Sequence, residues 1–250
     1  MELAGRVALV TGGGIRVGRA IVQALAAGGA TVAVHHHDSG EAAADLVAEL
    51  RAQGRRAQAF AADLTDDAEL ERLPREVESA LGPISILVNS AARFTRADLL
   101  DTTPAMLDAE WRLNARAPFL LTRAVAKGMV ARREGVVVNV LDIGGALVPT
   151  PHYAAYGMTK AAMRMLTELL AVELAPHVRV NGVAPGTVLP PESMPEAERE
   201  RLRSRIPLQR FGRPEEIADT VRFLVTGPEF ITGQIIAVDG GRLRGTRSPG

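Results

Sequence analysis

The chain has 250 residues, of which 47% are apolar, and its 29 acidic and 29 basic side chains leave no net charge. This length and composition fit one large α/β domain, and the balanced charge favours a small-molecule partner over nucleic acid or a membrane surface. The absence of cysteine excludes disulfides, thiolate nucleophiles and cysteine-bound metals, and together with the lack of any apolar segment of membrane-spanning or leader length it predicts a soluble, cytoplasmic protein.

Short β-branched runs alternate with longer Ala/Leu-rich stretches of helical period, the rhythm of βαβ units and a parallel sheet. The predicted strands are Arg6–Val10, Thr31–His35, Ala57–Phe60, Ile84–Val88, Gly135–Val140, Val178–Val183 and Gln234–Val238. The predicted helices are Val17–Ala27, Glu41–Gln53, Asp67–Leu81, Met106–Ala131, Ala154–Leu174 and Glu215–Leu224. We therefore predict a single-domain, Rossmann-type α/β fold: a doubly wound sheet of seven parallel strands flanked by helices.

One long irregular stretch, residues 186–207, is rich in proline and charge and lies between the sixth strand and the last helix. Long loops without secondary structure of their own usually serve a site. We expect this stretch to be a mobile substrate lid.

The first βα turn, Thr11-Gly12-Gly13-Gly14-Ile15-Arg16-Val17-Gly18, has the composition of a phosphate site. Its glycines would let backbone N–H groups and the N-terminus of the next helix meet a pyrophosphate, where a Cβ would block the approach. The spacing is not GxGxxG, so a plain tight βα turn remains the alternative.

Three consecutive histidines, His35, His36 and His37, end the second predicted strand. Alternate strand residues point to opposite faces, so the three rings cannot converge on a metal ion, and we predict no metal site. We expect the strand end to lie beside an adenosine ribose instead. Asp63, after the third strand, has two equal interpretations: it accepts the adenine amine, or it caps the next helix.

The segment Tyr156-Gly157-Met158-Thr159-Lys160 begins an apolar helix, so the tyrosine and the lysine share one helical face. A lysine cation beside a phenol favours the phenolate and should bring the pKa of Tyr156 down toward a range useful for proton transfer. Asn114 and Asp142 fall where other elements would bring them close to this pair. Pro118 should kink the helix that carries Asn114 and free backbone groups to hold water.

The order TGxxxxxG, NSAA, Asn114, YxxxK and Pro185-Gly186 resembles the short-chain dehydrogenase/reductase family over essentially the whole chain, as does the closing ITGQIIAVDGG. The resemblance implies that Tyr156 is the acid/base. It also implies that Lys160 holds the nicotinamide ribose and lowers the tyrosine pKa, and that Asn114 supports a water relay.

Three substitutions resemble the pteridine reductase branch of that family. Arg16 stands where the general pattern has a glycine, Asp142 stands where it has a serine, and Phe94 follows NSAAR. In that branch the phenylalanine stacks the pterin against the nicotinamide, and the arginine reaches both the cofactor phosphate and the pterin. The resemblance gives those roles to Phe94 and Arg16. The alternatives are Phe94 as core filler, Asp142 as a loop cap and Arg16 as a surface charge.

The resemblance implies NADPH as the cofactor, with NADH as the alternative, because Asp38 and Ile15 replace basic residues of the branch. His36 stands where NAD-specific relatives place an acidic residue, which favours NADPH. The implied cofactor contacts are Gly12, Arg16, Val17, His36, His37, Ser39, Asp63, Leu64, Asn89, Ser90, Ala91, Tyr156, Lys160, Pro185, Gly186 and Val188. The implied substrate contacts are Arg16, Phe94, Asp142 and Tyr156.

The expected activity is NADPH-dependent reduction of a pterin-like substrate, a dihydropterin or dihydrofolate, with proton delivery by Asp142 and Tyr156. The alternative is a short-chain carbonyl or 3-oxoacyl-[acyl-carrier-protein] reductase, although an aspartate beside the tyrosine is poorly suited to polarising a ketone. The intact set of Tyr156, Lys160 and Asn114 argues against a non-catalytic nucleotide-binding regulator. The resemblance also implies a homotetramer, with the last strand and the long Ala154–Leu174 helix at its interfaces.

Overall fold

A computed structural model describes residues 1–190 and 194–245 of the chain. Its seven strands form one parallel sheet in the order β3-β2-β1-β4-β5-β6-β7, which confirms the predicted doubly wound fold. The strands are β1 (Val7–Val10), β2 (Thr31–His36), β3 (Ala57–Ala61), β4 (Ile84–Asn89), β5 (Gly135–Val140), β6 (Val178–Pro185) and β7 (Ile235–Val238).

Helices cover both faces of the sheet. They are α1 (Arg16–Ala27), α2 (Gly40–Ala52), α3 (Asp67–Leu81), α4 (Pro104–Trp111), α5 (Ala117–Arg132), α6 (Ile143–Ala146), α7 (Ala154–Glu173), α8 (Glu196–Ser204) and α9 (Pro214–Thr226). Helices α1, α2 and α9 share one hydrophobic core with the sheet, and α3, α5 and α7 share the other. Both faces of the central strands are therefore buried, as their apolar runs require. In the described ranges, none of these helices is long and apolar enough to cross a lipid bilayer.

The predicted helix Met106–Ala131 is broken into two helices. A π-helical turn, Arg112–Arg116, joins α4 to α5 and carries Asn114. Pro118 causes the break because it has no N–H to donate to the carbonyl of Asn114 four residues earlier. The irregularity expected at Pro118 thus takes the form of a π turn.

The stretch 186–207 is not irregular throughout, because α8 lies within it. The sequence EAERERLRS consists of strong helix formers and contains the i,i+3 ion pairs Arg201–Glu198 and Arg203–Glu200, so it forms a helix despite the prolines before it. Residues 191–193 of the predicted lid lie outside the described residues.

The side chain of His35, in β2, contacts residues that follow β1 and β3. Its Nδ1 accepts a hydrogen bond from the Gly12 N–H at 3.1 Å, and its Nε2 lies 3.0 Å from the Ala62 carbonyl. These two contacts select the neutral ring protonated on Nε2. Burial lowers the pKa of His35 from 6.5 to about 4.

This buried histidine makes the stability of the fold pH-dependent. The folded protein binds a proton on His35 less readily than the unfolded chain, so the contribution is complete above pH 6.5 and is lost as the pH falls toward 4. We expect the free energy of unfolding to fall by about 3 kcal/mol over that window in urea titrations. His35→Gln should flatten this dependence, whereas His177→Gln should leave it unchanged; an equal slope in all three proteins would contradict the assignment.

Candidate active site

The glycine turn after β1 packs tightly against its neighbours. A Cβ at Gly18 would lie 2.0 Å from the Gly12 carbonyl oxygen, and a Cβ at Gly12 would lie 3.0 Å from the Ala91 Cα. Thr11 links the turn to the segment after β4, because its Oγ1 accepts the N–H groups of Ser90 and Ala91 at 2.9 and 3.0 Å. The loops after β1 and β4, the two strands at which the sheet order reverses, therefore meet at one edge.

Helix α1 begins directly at this turn without a side-chain cap. Its N-cap residue, Ile15, makes no capping hydrogen bond, and its first turn holds no acidic residue. The N–H groups and the positive end of the helix dipole thus face the glycine turn without a side-chain anion to satisfy them. The side chain of Val17 packs against the hydrophobic core, so only its backbone is available to a ligand.

Arg16 adopts the backbone conformation that the family pattern fills with glycine. Its φ is +52°, in the left-handed region. The exposed guanidinium donates from Nη2 to the Leu189 carbonyl at 3.0 Å, and Leu189 also has a positive φ of 54°. Arg16 is therefore not a free surface charge: it joins the glycine turn to the segment after β6.

The residues expected at the adenosine end of the cofactor lie close together, but their side chains differ in exposure. Ser39 lies against the glycine turn, because a Cβ at Gly14 would come within 3.1 Å of its Oγ. His36 is half-buried at the end of β2, and His37 is exposed. The side chain of Leu64 is buried in the core, so it can offer a ligand only its backbone.

Asp63 does not cap α3. The cap is Asp66, which accepts the N–H groups of Ala68 and Glu69. Asp63 Oδ1 instead accepts the backbone N–H and the hydroxyl of Thr65, both at 2.8 Å. The backbone hydrogen bond from Thr65 is the main reason that the pKa of Asp63 is lowered. The capping alternative is thus wrong.

The catalytic candidates meet at the N-terminus of α7. Tyr156 and Lys160 are buried on one face of the helix, with Lys160 Nζ 5.5 Å from the centre of the tyrosine ring. Tyr156 donates its hydroxyl proton to Asp142 Oδ2 at 3.2 Å, and Lys160 Nζ donates to the Val140 carbonyl at 2.9 Å. Asp142 Oδ1 also caps α6 by accepting the Gly144 N–H at 2.6 Å, so the loop-cap alternative and the contact with Tyr156 are both correct.

The electrostatics of this group differ from the expectation. Burial, and then the Asp142 carboxyl, raise the pKa of Tyr156 well above its usual range, so the predicted lowering by Lys160 is wrong in this structure. The reason is geometric, because the charged group bonded to the phenol is Asp142, while the lysine ammonium is bonded to a carbonyl. Burial also raises the pKa of Asp142 and lowers that of Lys160 to about 8. At neutral pH the tyrosine is therefore a proton donor.

Asn114 holds the loop that follows β4. Its Oδ1 accepts the Arg93 N–H and its Nδ2 donates to the Arg93 carbonyl, both at 2.8 Å. The same Nδ2 donates to Glu110 Oε2 at 2.6 Å, and Glu110 Oε1 accepts the Thr95 N–H at 2.8 Å. The sequence reasoning missed Glu110; the signal was an acidic residue one helical turn before Asn114.

An aromatic pair stands beside the tyrosine. Phe94 stacks on Tyr153, with ring centroids 4.3 Å apart and planes 9° apart, and meets Tyr156 edge-on at 4.6 Å. Phe94 is 58% exposed, so the core-filler alternative is wrong. The loop is tied down by the Ala97 N–H, which donates to the His152 carbonyl at 2.9 Å, and by a hydrogen bond between the Asp98 carboxyl and His152 Nδ1. The sequence reasoning also missed Tyr153.

The remaining predicted cofactor residues lie at the carboxyl ends of β4 and β6. Asn89 is buried at the end of β4, where its Nδ2 donates to Asn139 at 2.8 Å. Pro185 is buried at the end of β6, and Gly186 follows it in close contact with Asp239, where a Cβ would meet the Cα at 2.7 Å. Val188 is half-buried and its side chain packs against the core. At this edge of the sheet, mainly backbone groups are therefore available to a cofactor.

A family model described as Enoyl-(Acyl carrier protein) reductase matches residues 14–242. The chain belongs to the short-chain dehydrogenase/reductase family. It is an oxidoreductase, as the sequence predicted. The chain is 38% identical over 247 residues to a 3-oxoacyl-[acyl-carrier-protein] reductase of Synechocystis sp., with 96% of this chain and 97% of the relative covered.

Solved structures of this family superpose over nearly the full chain. A gluconate 5-dehydrogenase from Burkholderia cenocepacia, in complex with NADP and tartrate, has a TM-score of 0.91 at 32% identity and covers 97% of both chains. FolM alternative dihydrofolate reductase 1 from Brucella canis, complexed with NADP, has a TM-score of 0.91 at 34% identity and covers 99% of this chain and 98% of that chain.

The contact between α6 and α7 sets the position of Asp142 relative to Tyr156. Gly145 has a φ of +81°, and a Cβ there would lie 2.4 Å from the Gly157 Cα. Gly145→Ala should lower the free energy of unfolding by about 3 kcal/mol or more. The control Gly54→Ala has a similar φ of +72° but no atom within 4 Å of the added Cβ, so it should cost only about 1 kcal/mol. Equal losses in denaturant titrations would show that backbone strain alone acts at Gly145.

Proposed function

We propose that this chain is an NADPH-dependent reductase of pteridines of the dihydropterin or dihydrofolate type. The observation that carries the proposal is the 3.2 Å hydrogen bond between the Tyr156 hydroxyl and Asp142. A ketone reductase needs two neutral donors to polarise a carbonyl oxygen, and an aspartate at the second position would repel the developing negative charge. The Asp142–Tyr156 pair suits a different acceptor, a ring nitrogen that must gain a proton.

The chemistry of a C=N bond matches this arrangement. The dihydronicotinamide supplies a hydride to the ring carbon when it is bound. Tyr156 donates a proton to the adjacent nitrogen, and Asp142, which shares that proton, returns one from solvent. The raised pKa of Tyr156 favours its protonated form, which is the state that a proton donor requires.

The described residues fit a dinucleotide. The uncapped N-terminus of α1 and the glycine turn suit a pyrophosphate. We assign Lys160 to the nicotinamide ribose and Asp63 to the adenine amine. His37 and Ser39 lie at the end of β2, where the ribose 2′ position is read, and they favour NADPH. Asp38 beside them keeps NADH as the alternative. The proposed contacts otherwise remain those implied by the resemblance, with Val17 and Leu64 contributing backbone only.

The substrate side of the proposal rests on Phe94 and Arg16. Phe94 offers an exposed aromatic face beside Tyr156, which suits a flat heterocycle; such stacking contributes about 0.5–1.5 kcal/mol beyond burial. Arg16 adds a cation and bonds Leu189 at the start of residues 186–207. Arg242 bonds Thr187 in the same segment at 2.9 Å. We infer that this segment is the substrate lid.

A short-chain carbonyl or 3-oxoacyl-[acyl-carrier-protein] reductase is the second candidate. The 38% identity to the Synechocystis reductase and the matching family model support it. The likeness to the Brucella FolM reductase supports the proposed reduction of pteridines.

A substrate panel separates the two functions. We expect the protein to oxidise NADPH with 7,8-dihydrobiopterin, 7,8-dihydromonapterin or dihydrofolate, because Asp142 suits protonation at nitrogen. Absorbance at the dihydronicotinamide band measures turnover, and acetoacetyl thioester serves as the carbonyl substrate. Turnover of the thioester without any pterin would overturn the pteridine proposal.

Two variants test whether Tyr156 is required for turnover and whether Asp142 determines the substrate preference. Tyr156→Phe should remove most activity on every substrate that the protein reduces while leaving NADPH affinity nearly unchanged. Asp142→Ser restores the neutral hydroxyl of the general family pattern, so it should lower pterin turnover and raise thioester turnover relative to the parent. A proportional loss on both substrates would mean that Asp142 does not select between them.

We also propose a homotetramer. Helix α7 exposes the apolar side chains of Met165, Leu169 and Val172, which an interface between subunits would cover. Light scattering should give four times the chain mass of 26.5 kDa. A monomer mass at micromolar concentration would refute this state.

A further inference from the structure

Glu110 is a buried carboxylate that neither the sequence reasoning nor the proposed mechanism uses. It lies near the end of α4 and is 1% exposed. Its Oε1 accepts the Thr95 N–H at 2.8 Å, and its Oε2 accepts from Asn114 Nδ2 at 2.6 Å. Both oxygens are thus bonded to parts of the candidate active site.

One hydrogen bond of Glu110 supports the orientation of Asn114, and the other holds the loop of Phe94. The Asn114 amide bonds both the N–H and the carbonyl of Arg93, so its oxygen and nitrogen are not interchangeable. Glu110 accepts from the nitrogen, which reinforces that orientation. Through Thr95, the same carboxylate also holds the residue after Phe94. A buried carboxylate has a high desolvation cost, and an apolar side chain would fill this position at lower cost if packing were its only purpose.

Helix α4, which carries Glu110, packs against α7, which carries Tyr156 and Lys160, so the charge of Glu110 also acts on these two groups. Two acidic groups face Lys160 and Tyr156, which lie on α7: Asp142, which follows β5, and Glu110 on α4. Each raises the pKa of the lysine, against the lowering caused by burial, and each raises the pKa of the tyrosine. Loss of the Glu110 charge would therefore lower both pKa values.

We propose that Glu110 is a positioning residue of this active site: its two hydrogen bonds hold Asn114 and the Phe94 loop in place, and its charge lies on a helix that packs against the helix of Lys160. Its effect on turnover rests on the proposed reductase function. Its effect on Lys160 does not, because that charge is measured on the protein without any reaction.

The lysine content permits a direct test. Lys127 and Lys160 are the two lysines of the sequence, so lysine labelled with carbon-13 at Cε gives two assignable NMR signals. The Lys160 signal should titrate near pH 8, with Lys127 as the internal reference. Glu110→Gln should move the Lys160 midpoint to lower pH. Asp108→Asn removes an exposed charge from the same helix and should leave that midpoint in place. An unchanged midpoint in folded Glu110→Gln would overturn the electrostatic part of the proposal.

Turnover tests the positioning part. A glutamine has one oxygen and one NH₂ group, so it cannot accept from both Thr95 and Asn114, and kcat of Glu110→Gln should fall about tenfold or more. Glu110→Asp keeps the charge but shortens the side chain, so it should keep the Lys160 midpoint and still lower kcat. Parental kcat in Glu110→Asp would overturn the positioning role, and this variant decides the matter if Glu110→Gln does not fold.

The two proposals fail in different ways. If the parent protein reduces the thioester and no pterin, the pteridine proposal fails. The Glu110 inference can still be tested, because kcat of the variants is then measured on the thioester. The lysine titration does not depend on the substrate. If Glu110→Gln loses thermal stability but keeps both its Lys160 midpoint and its kcat, Glu110 is only structural and the inference fails alone.

Discussion

The active site depends on a contact between two stretches of backbone. Gly145 and Gly157 approach so closely that a Cβ added to Gly145 would lie 2.4 Å from the Gly157 Cα, so no side chain separates α6 from the start of α7. This contact allows Asp142, which belongs to the first segment, to bond Tyr156, which belongs to the second, at 3.2 Å. A fixed distance between a carboxyl and a phenol requires that neither segment can shift independently.

The charged side chains of the site are buried, and they affect one another's protonation. Lys160 loses its contact with water, and two carboxyl groups, Asp142 and Glu110, favour its cationic form. The same two groups oppose the phenolate of Tyr156, which burial already disfavours. Burial and the two carboxyl groups thus favour a protonated Tyr156 over an ionised one. The state of the phenol is set by all its charged neighbours, and the lysine one turn away does not determine it alone.

The sequence predicted the sheet well because its central strands, β1, β4 and β5, are apolar runs whose burial on both faces leaves a clear pattern. It identified Tyr156, Lys160, Asp142 and Asn114 as candidates for the site because their motifs are local. It missed Glu110 and Tyr153 because their importance comes from contacts across the fold, Glu110 with the loop of Thr95 and Tyr153 with Phe94. The pKa of Tyr156 was predicted in the wrong direction for the same reason: helical spacing gives the lysine, but burial and the approach of Asp142 depend on tertiary structure.

The overall sequence identity to a relative and the choice of substrate depend on different parts of the chain. The 38% identity to a 3-oxoacyl reductase is an average over 247 residues, and proteins that share a fold can differ in activity. Substrate choice depends on the few groups that face the reacting bond. In the proposed function those groups are a carboxyl in place of a hydroxyl beside Tyr156 and an exposed phenylalanine against its ring. Because an ionisable group beside the proton donor changes which atom can be protonated, these two positions carry more weight for the reaction than the average similarity of the chain.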